Sequence, residues 1–142
     1  MKQKRIFYVI IAIAILYFGN DHQNTPTDQT GSPSSAIQSA YNNQQSDKIV
    51  IASGIVSKLL ADDNKGSRHQ KFIVKISSNL SILVAHNIGL APRINNIKVG
   101  DNIEIKGEYE WNTKGGVVHW THHDPRGNHP GGWLKHRGKV YE

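Results

Sequence analysis

From residue 48 onward, apolar and polar positions alternate with a period of two, as in strands that bury one face. Residues 48–60 are apolar and β-branched but broken by Gly54, which predicts a long first strand with a bulge or bend. The cluster ADDNKGS over 61–67 is a turn. Residues 69–76 place Phe72, Val74 and Ile76 inward and Lys71 and Lys75 outward. Residues 77–79 turn the chain, and Leu80, Ile82 and Val84 alternate again over 80–86. A connection over 87–96 contains Pro92. Residues 97–111 open with the turn Val99-Gly100-Asp101, then alternate Ile103, Ile105, Tyr109 and Trp111, leaving Glu104, Glu108 and Glu110 on a solvated face. NTKGG over 112–116 is a hairpin loop, and 117–123 is a fifth strand with Val118 and Trp120 toward the core. The tail 124–142, rich in glycine and proline, reads as a loop-like wrap anchored by Trp133 and Leu134, with a closing strand near 139–141.

Five short strands, a long bent first one and a wide connection between the third and fourth predict an all-β protein. The expected architecture is a small five-stranded OB-like barrel. An SH3-like barrel or an open meander competes with it. About 95 residues suffice for one small core.

The first 47 residues have another character. Met1–Arg5 is basic, and residues 6–18 are an unbroken apolar run. At about 1.5 Å per residue the run covers roughly 20 Å, short for a hydrocarbon core of about 30 Å. Residues 1–19 therefore read as a signal peptide or an N-terminal membrane anchor, which places the rest of the chain outside the cytoplasm, in the periplasm or an equivalent space. Residues 20–47 are a polar linker. Within it, Ile37, Ala40 and Tyr41 recur at helical spacing after Ser34, predicting a short helix over 34–45 that docks on the domain 48–142.

Charge and cysteine content narrow the function classes. Lys2, Lys4 and Arg5 balance Asp21, Asp28 and Asp47, so the formal net charge of +6 belongs to residues 48–142. Those bases are scattered singly, which gives a mildly basic surface open to an anionic polymer or envelope component. With no cysteine, thiolate metal sites and cysteine nucleophiles are excluded, and an exported fold must hold without disulfides. No phosphate-cradling glycine motif or nucleophile elbow is present, and an exported domain meets no cytosolic nucleotide.

Seven of the eight histidines follow residue 68. On an extended fifth strand His119, Thr121 and His123 share one face, and His122 lies on the inner side at the barrel end. In OB topology strands three and five are parallel, so His69, His86, His122 and His123 gather at one end beside Asp62 and Asp63. Such a set suits zinc or another divalent ion, with Asp62 or Asp63 as a base for ester or phosphodiester hydrolysis. The plainer alternatives are a hydrogen-bond network and solvated surface histidines. Trp111, Trp133 and Arg126 are candidates for binding a ligand, the tryptophans as a stacking platform if exposed.

The stretches DDNKGSRHQKFIV (62–74), AHNIGLAPRI (85–94), VGDNIEIKGEYEWNTKGGVVHWTHHDPRG (99–127) and GWLKHRGKVY (132–141) resemble the bacterial domain of unknown function 3465 family. The resemblance covers about two-thirds of the chain. It implies a small exported protein with no assigned activity and no catalytic residues to carry over. One departure is Gly89, where the resemblance implies an acid. Three functions remain open: an OB-like module binding a polyanion, saccharide or peptide; a metal-dependent hydrolase; and a structural envelope protein.

Overall fold

A computed structural model describes residues 32–142. Residues 1–19, expected to direct export, and the expected linker up to residue 31 lie outside the described residues. Among the described residues one helix, α1 (Ser35–Asn42), precedes seven strands: β1 (Lys48–Leu59), β2 (His69–Ser77), β3 (Leu80–Asn87), β4 (Asn102–Glu110), β5 (Val117–His119), β6 (Trp133–His136) and β7 (Lys139–Tyr141).

Strands β1 to β5 close into a barrel in the order β1-β2-β3-β5-β4-β1, with β3 and β5 parallel. This is the OB-type arrangement, and closure removes the open meander. β1 makes closure possible by serving two partners: Lys48–Ile55 pair with β4, and Ile55–Leu59 pair with β2. The switch falls at Gly54, where a Cβ would collide with the Lys75 carbonyl and Val74. The inward positions form one core that includes Val50, Ala52, Phe72, Val74, Ile82, Val84, Ile103, Ile105, Tyr109 and Val118.

The two ends of the barrel are sealed differently. At one, α1 inserts Ile37 and Ala40 into the core, and Gln38 meets Ser77. Ser34 does not cap the helix as its position suggests; its hydroxyl donates to the Ser53 carbonyl instead. At the other end, residues 88–101 carry Ile94 and Ile97 into the core. Buried Gln70 clamps Ile94 at both backbone groups, at 2.8 and 2.9 Å.

Three strand expectations change. β4 begins at Asn102, because residues 98–101 form a turn in which Asp101 accepts from the Lys98 N–H. β5 stops at His119, because Trp120 takes φ +54° and turns the chain out of the sheet. That kink shifts the parity by one. Thr121, not Trp120, is fully buried on the inner side, and Trp120 is half-buried outside the core. Finally, the tail is built as a hairpin rather than a loop. β6 pairs with β4 at Glu104–Lys106, the part of that edge β5 leaves free, and β7 pairs with β6. Leu134 anchors it in the core, while Trp133 is half-buried.

Candidate functional site

The strongest constellation of ligand atoms lies on the outer face of β4 and β5. Tyr109 points inward, so Glu108 and Glu110 point outward. The antiparallel register places His119 opposite Glu108 and Val117 opposite Glu110. One ligand atom from each of Glu108, Glu110 and His119 lies within 4.8 Å of the others. His119 Nε2 is 3.8 Å from Glu110 Oε1. This replaces the solvated face expected for Glu108 and Glu110, whose side chains are only 13% and 12% exposed. Glu104 alone keeps that character, paired with Lys135 at 3.7 Å.

The site is rich in negative charge. Among the described residues neither Glu108 nor Glu110 forms an ion pair with lysine or arginine; their partners are His129 and His119. Asp47, in the left-handed region at φ +58°, sits beside them. The neighbouring Glu110 carboxylate raises the pKa of Asp47. Burial alone would raise Glu110 too, but hydrogen bonding with His119, Asp47 and Ser46 outweighs it and holds Glu110 below its ordinary value.

The tail covers this face. Beyond the kink at Trp120, Asp124 accepts the backbone N–H groups of Arg126, Asn128 and His129, at 2.9–3.0 Å. Those bonds, that of Arg126 first, hold the Asp124 carboxyl below the usual range. The loop they shape stacks His129 on Trp120, with ring centroids 3.9 Å apart and planes 10° apart. His129 Nε2 contacts Glu108, and its Nδ1–H donates to the Pro130 carbonyl. Gly132 then passes between the Trp120 and Lys106 carbonyls, where a Cβ would strike both.

The residues singled out from sequence are distributed otherwise. His69, His86 and His122 are buried at the barrel end closed by residues 88–101, near enough to influence one another's charge. His123 is 71% exposed on its side chain and faces Glu142. His86 is fully engaged: Nε2–H donates to the Pro92 carbonyl at 3.0 Å, and the Thr121 hydroxyl donates to Nδ1 at 2.7 Å. Burial drives its pKa down to about 4. Burial also lowers His69 and His122, whose Nδ1–H groups donate to the Ser67 and His123 carbonyls. Among the described residues these four histidines do not form a set with ligand atoms within 4.8 Å. Asp62 is paired with Arg93 at 2.9 Å, and Asp63 accepts the Lys65 N–H and bridges His69 through the backbone. Trp111 packs against the core beside Ser46, Trp133 lies on β6, and Arg126 is exposed in the Asp124 loop, so the three occupy separate segments.

A further pair escaped the sequence reading. Buried His136 meets Asp101 at 2.8 Å and, together with the Lys98 N–H and Arg137, lowers the Asp101 pKa. It ties β6 to the turn before β4.

Comparison with curated proteins finds no match. The family model described as "Protein of unknown function (DUF3465)" matches residues 24–142, and the chain belongs to that family.

Proposed function

We propose that this chain is an exported metal-binding module in which Glu108, Glu110 and His119 hold a divalent cation on the outer face of the barrel. The observation that carries this reading is the convergence of their ligand atoms within 4.8 Å. The lack of a lysine or arginine counter-charge among the described residues supports it, because packed carboxylates favour a cation between them. Two oxygens and one imidazole nitrogen suit zinc, or manganese as a harder ion, and leave a coordination position for water or a ligand. The export half of the proposal rests on the basic start and the apolar run 6–18. The metal of the hydrolase reading is kept, moved from the barrel end to β4 and β5.

The test is metal analysis of the purified full chain after loading with zinc or manganese and dialysis, with melting curves recorded with and without chelator. One ion per chain is expected, with stabilisation of about 2.7 kcal/mol when free metal is 100 times Kd. E110Q and H119Q should each lose the ion and the shift. Metal retained equally by both variants, or no metal in the wild type, would overturn the proposal.

A further inference from the structure

We propose, resting on the reading of residues 6–18 as an uncleaved anchor but not on the cation site, that the outer face of the β1-β4-β6-β7 sheet docks on an anionic lipid surface. The register assembles this face from four strands. Ile51, Lys106 and Trp133 stand in one row, and Ser53, Glu104, Lys135 and Val140 stand in the next. Ile49 and Ile55 flank them on β1. Ile49, Ile51, Ile55 and Val140 are 41–48% exposed, and Trp133 is half-buried. Three isoleucines of one strand left in water forgo their burial, and apolar side chains ringed by polar ones mark a surface that meets a partner.

The charges on the face favour lipid. Lys75 lies opposite Ile55, Lys106 separates Ile51 from Trp133, and Lys139 adjoins Val140. Among the described residues none of these three lysines is in an ion pair. Lysine stems lie along apolar surface while their ammonium groups reach lipid phosphates. The acids here already have partners: Glu104 meets Lys135, Asp101 meets His136 and Arg137, and Glu142 faces His123. Glu108, opposite Ile49, belongs with Glu110 and the neighbouring Asp47 to the carboxylate cluster that borders the patch. The chain also arrives on this face. Pro33 lines a groove with Ile51, Ser53, Glu104, Lys135 and Arg137, and the Ser34 hydroxyl donates to the Ser53 carbonyl. Only residues 19–31 separate the apolar run from the described chain, and they span at most about 45 Å. An anchor in the bilayer therefore presents this face to the headgroups at high effective concentration, so a weak intrinsic affinity suffices.

The chain has no cysteine, so I51C and S67C each accept a single fluorophore. Both positions are exposed, and Ser67 lies in the turn between β1 and β2, off the proposed face. The test reconstitutes the full chain in vesicles of phosphatidylcholine, with or without phosphatidylglycerol, that carry a nitroxide-labelled lipid. Chelator is present throughout, so no ion bridges the carboxylate cluster to lipid. In anionic vesicles the fluorophore at residue 51 should be quenched about threefold more than the one at residue 67, and the excess should shrink at high salt or without phosphatidylglycerol. K106E should remove about half of the excess or more, because each base near an anionic surface contributes about fivefold to the binding constant. Equal quenching at the two positions, in chain that has entered the vesicles, would overturn the docking face and leave the anchor standing. A chain that does not enter vesicles would overturn both. A blue shift at residue 51 that grows with protein concentration in the absence of lipid would assign the face to a second copy and overturn the lipid proposal.

Discussion

His86 makes the fold sensitive to acid in a way that can be isolated. Its ring is fully buried and matched to two neighbours only as the neutral Nε2–H tautomer, because the Pro92 carbonyl needs a donor and Thr121 supplies one to Nδ1. The folded-state pKa is about 4 against an ordinary 6.5, with burial as the principal cause. Unfolded chains therefore take up this proton at a pH where folded chains do not. Stability from this group is intact above about 6.5 and is lost as pH falls toward 4. At about 1.36 kcal/mol per pH unit, the loss is about 2 kcal/mol at pH 5 and about 3 kcal/mol by pH 4. H86Q keeps an amide donor and acceptor without the titration. Urea unfolding of both proteins at pH 7 and pH 5 isolates the effect, since the contributions of His69 and His122 are present in both. The wild type should lose about 2 kcal/mol more than H86Q over that interval. Imidazole nitrogen shifts should report His86 as the Nε2–H tautomer at pH 5. If the stability difference between the two proteins is the same at both pH values, the buried neutral histidine is refuted.

Two further predictions concern the tail. G132A should destabilise the protein by about 1–3 kcal/mol, because its Cβ meets two backbone carbonyls, those of Trp120 and Lys106, that have no room to yield; a thermal melt unchanged from wild type would contradict this close passage. D124A removes the acceptor shared by three backbone N–H groups, so amide exchange at Arg126, Asn128 and His129 should accelerate at least tenfold while amides of β2 and β3 keep their protection. Equal protection in that loop would show that it is held by something other than Asp124.

The barrel was legible because strand alternation is a local property. Phe72, Val74, Ile82, Val84, Ile103 and Ile105 each announce an inward position by their neighbours, and Gly54 marks the place where β1 changes partner. The site was less legible because it depends on what covers a face. Glu108 and Glu110 alternate like solvated residues, and nothing nearby says that residues 120–132 fold back over them. Their partner was within reach, however. The NTKGG hairpin sets Glu110 against Val117, and counting two residues outward pairs Glu108 with His119. Trp120 alternates like a core residue on a longer strand, which hides the point where β5 ends. A bulky residue in the left-handed region is rare, and no composition rule signals it. Lys71 shows the same limit of alternation, pointing outward from β2 yet only 7% exposed.

The early end of β5 and the existence of the outer-face cluster are one structural fact. The edge of β4 is divided, with Glu108–Glu110 taken by β5 and Glu104–Lys106 by β6. Gly107 stands at the division, where a Cβ would strike the His119 carbonyl and Val118. A longer β5 would occupy the edge that β6 needs, so the chain must leave after His119 and return at Trp133. The kink at Trp120 performs the exit, Asp124 shapes the detour, and Gly132 permits the re-entry. The detour carries His129 onto Glu108 and Trp120 onto His129. The left-handed Trp120 costs on the order of 1–3 kcal/mol. Burial of Thr121 against His86 on one side of the kink, and stacking on His129 on the other, offset that strain. The residues that stop the strand are therefore the ones that cover the carboxylates, which is why a partly shielded acidic cluster forms on a barrel face that alternation alone would leave in water.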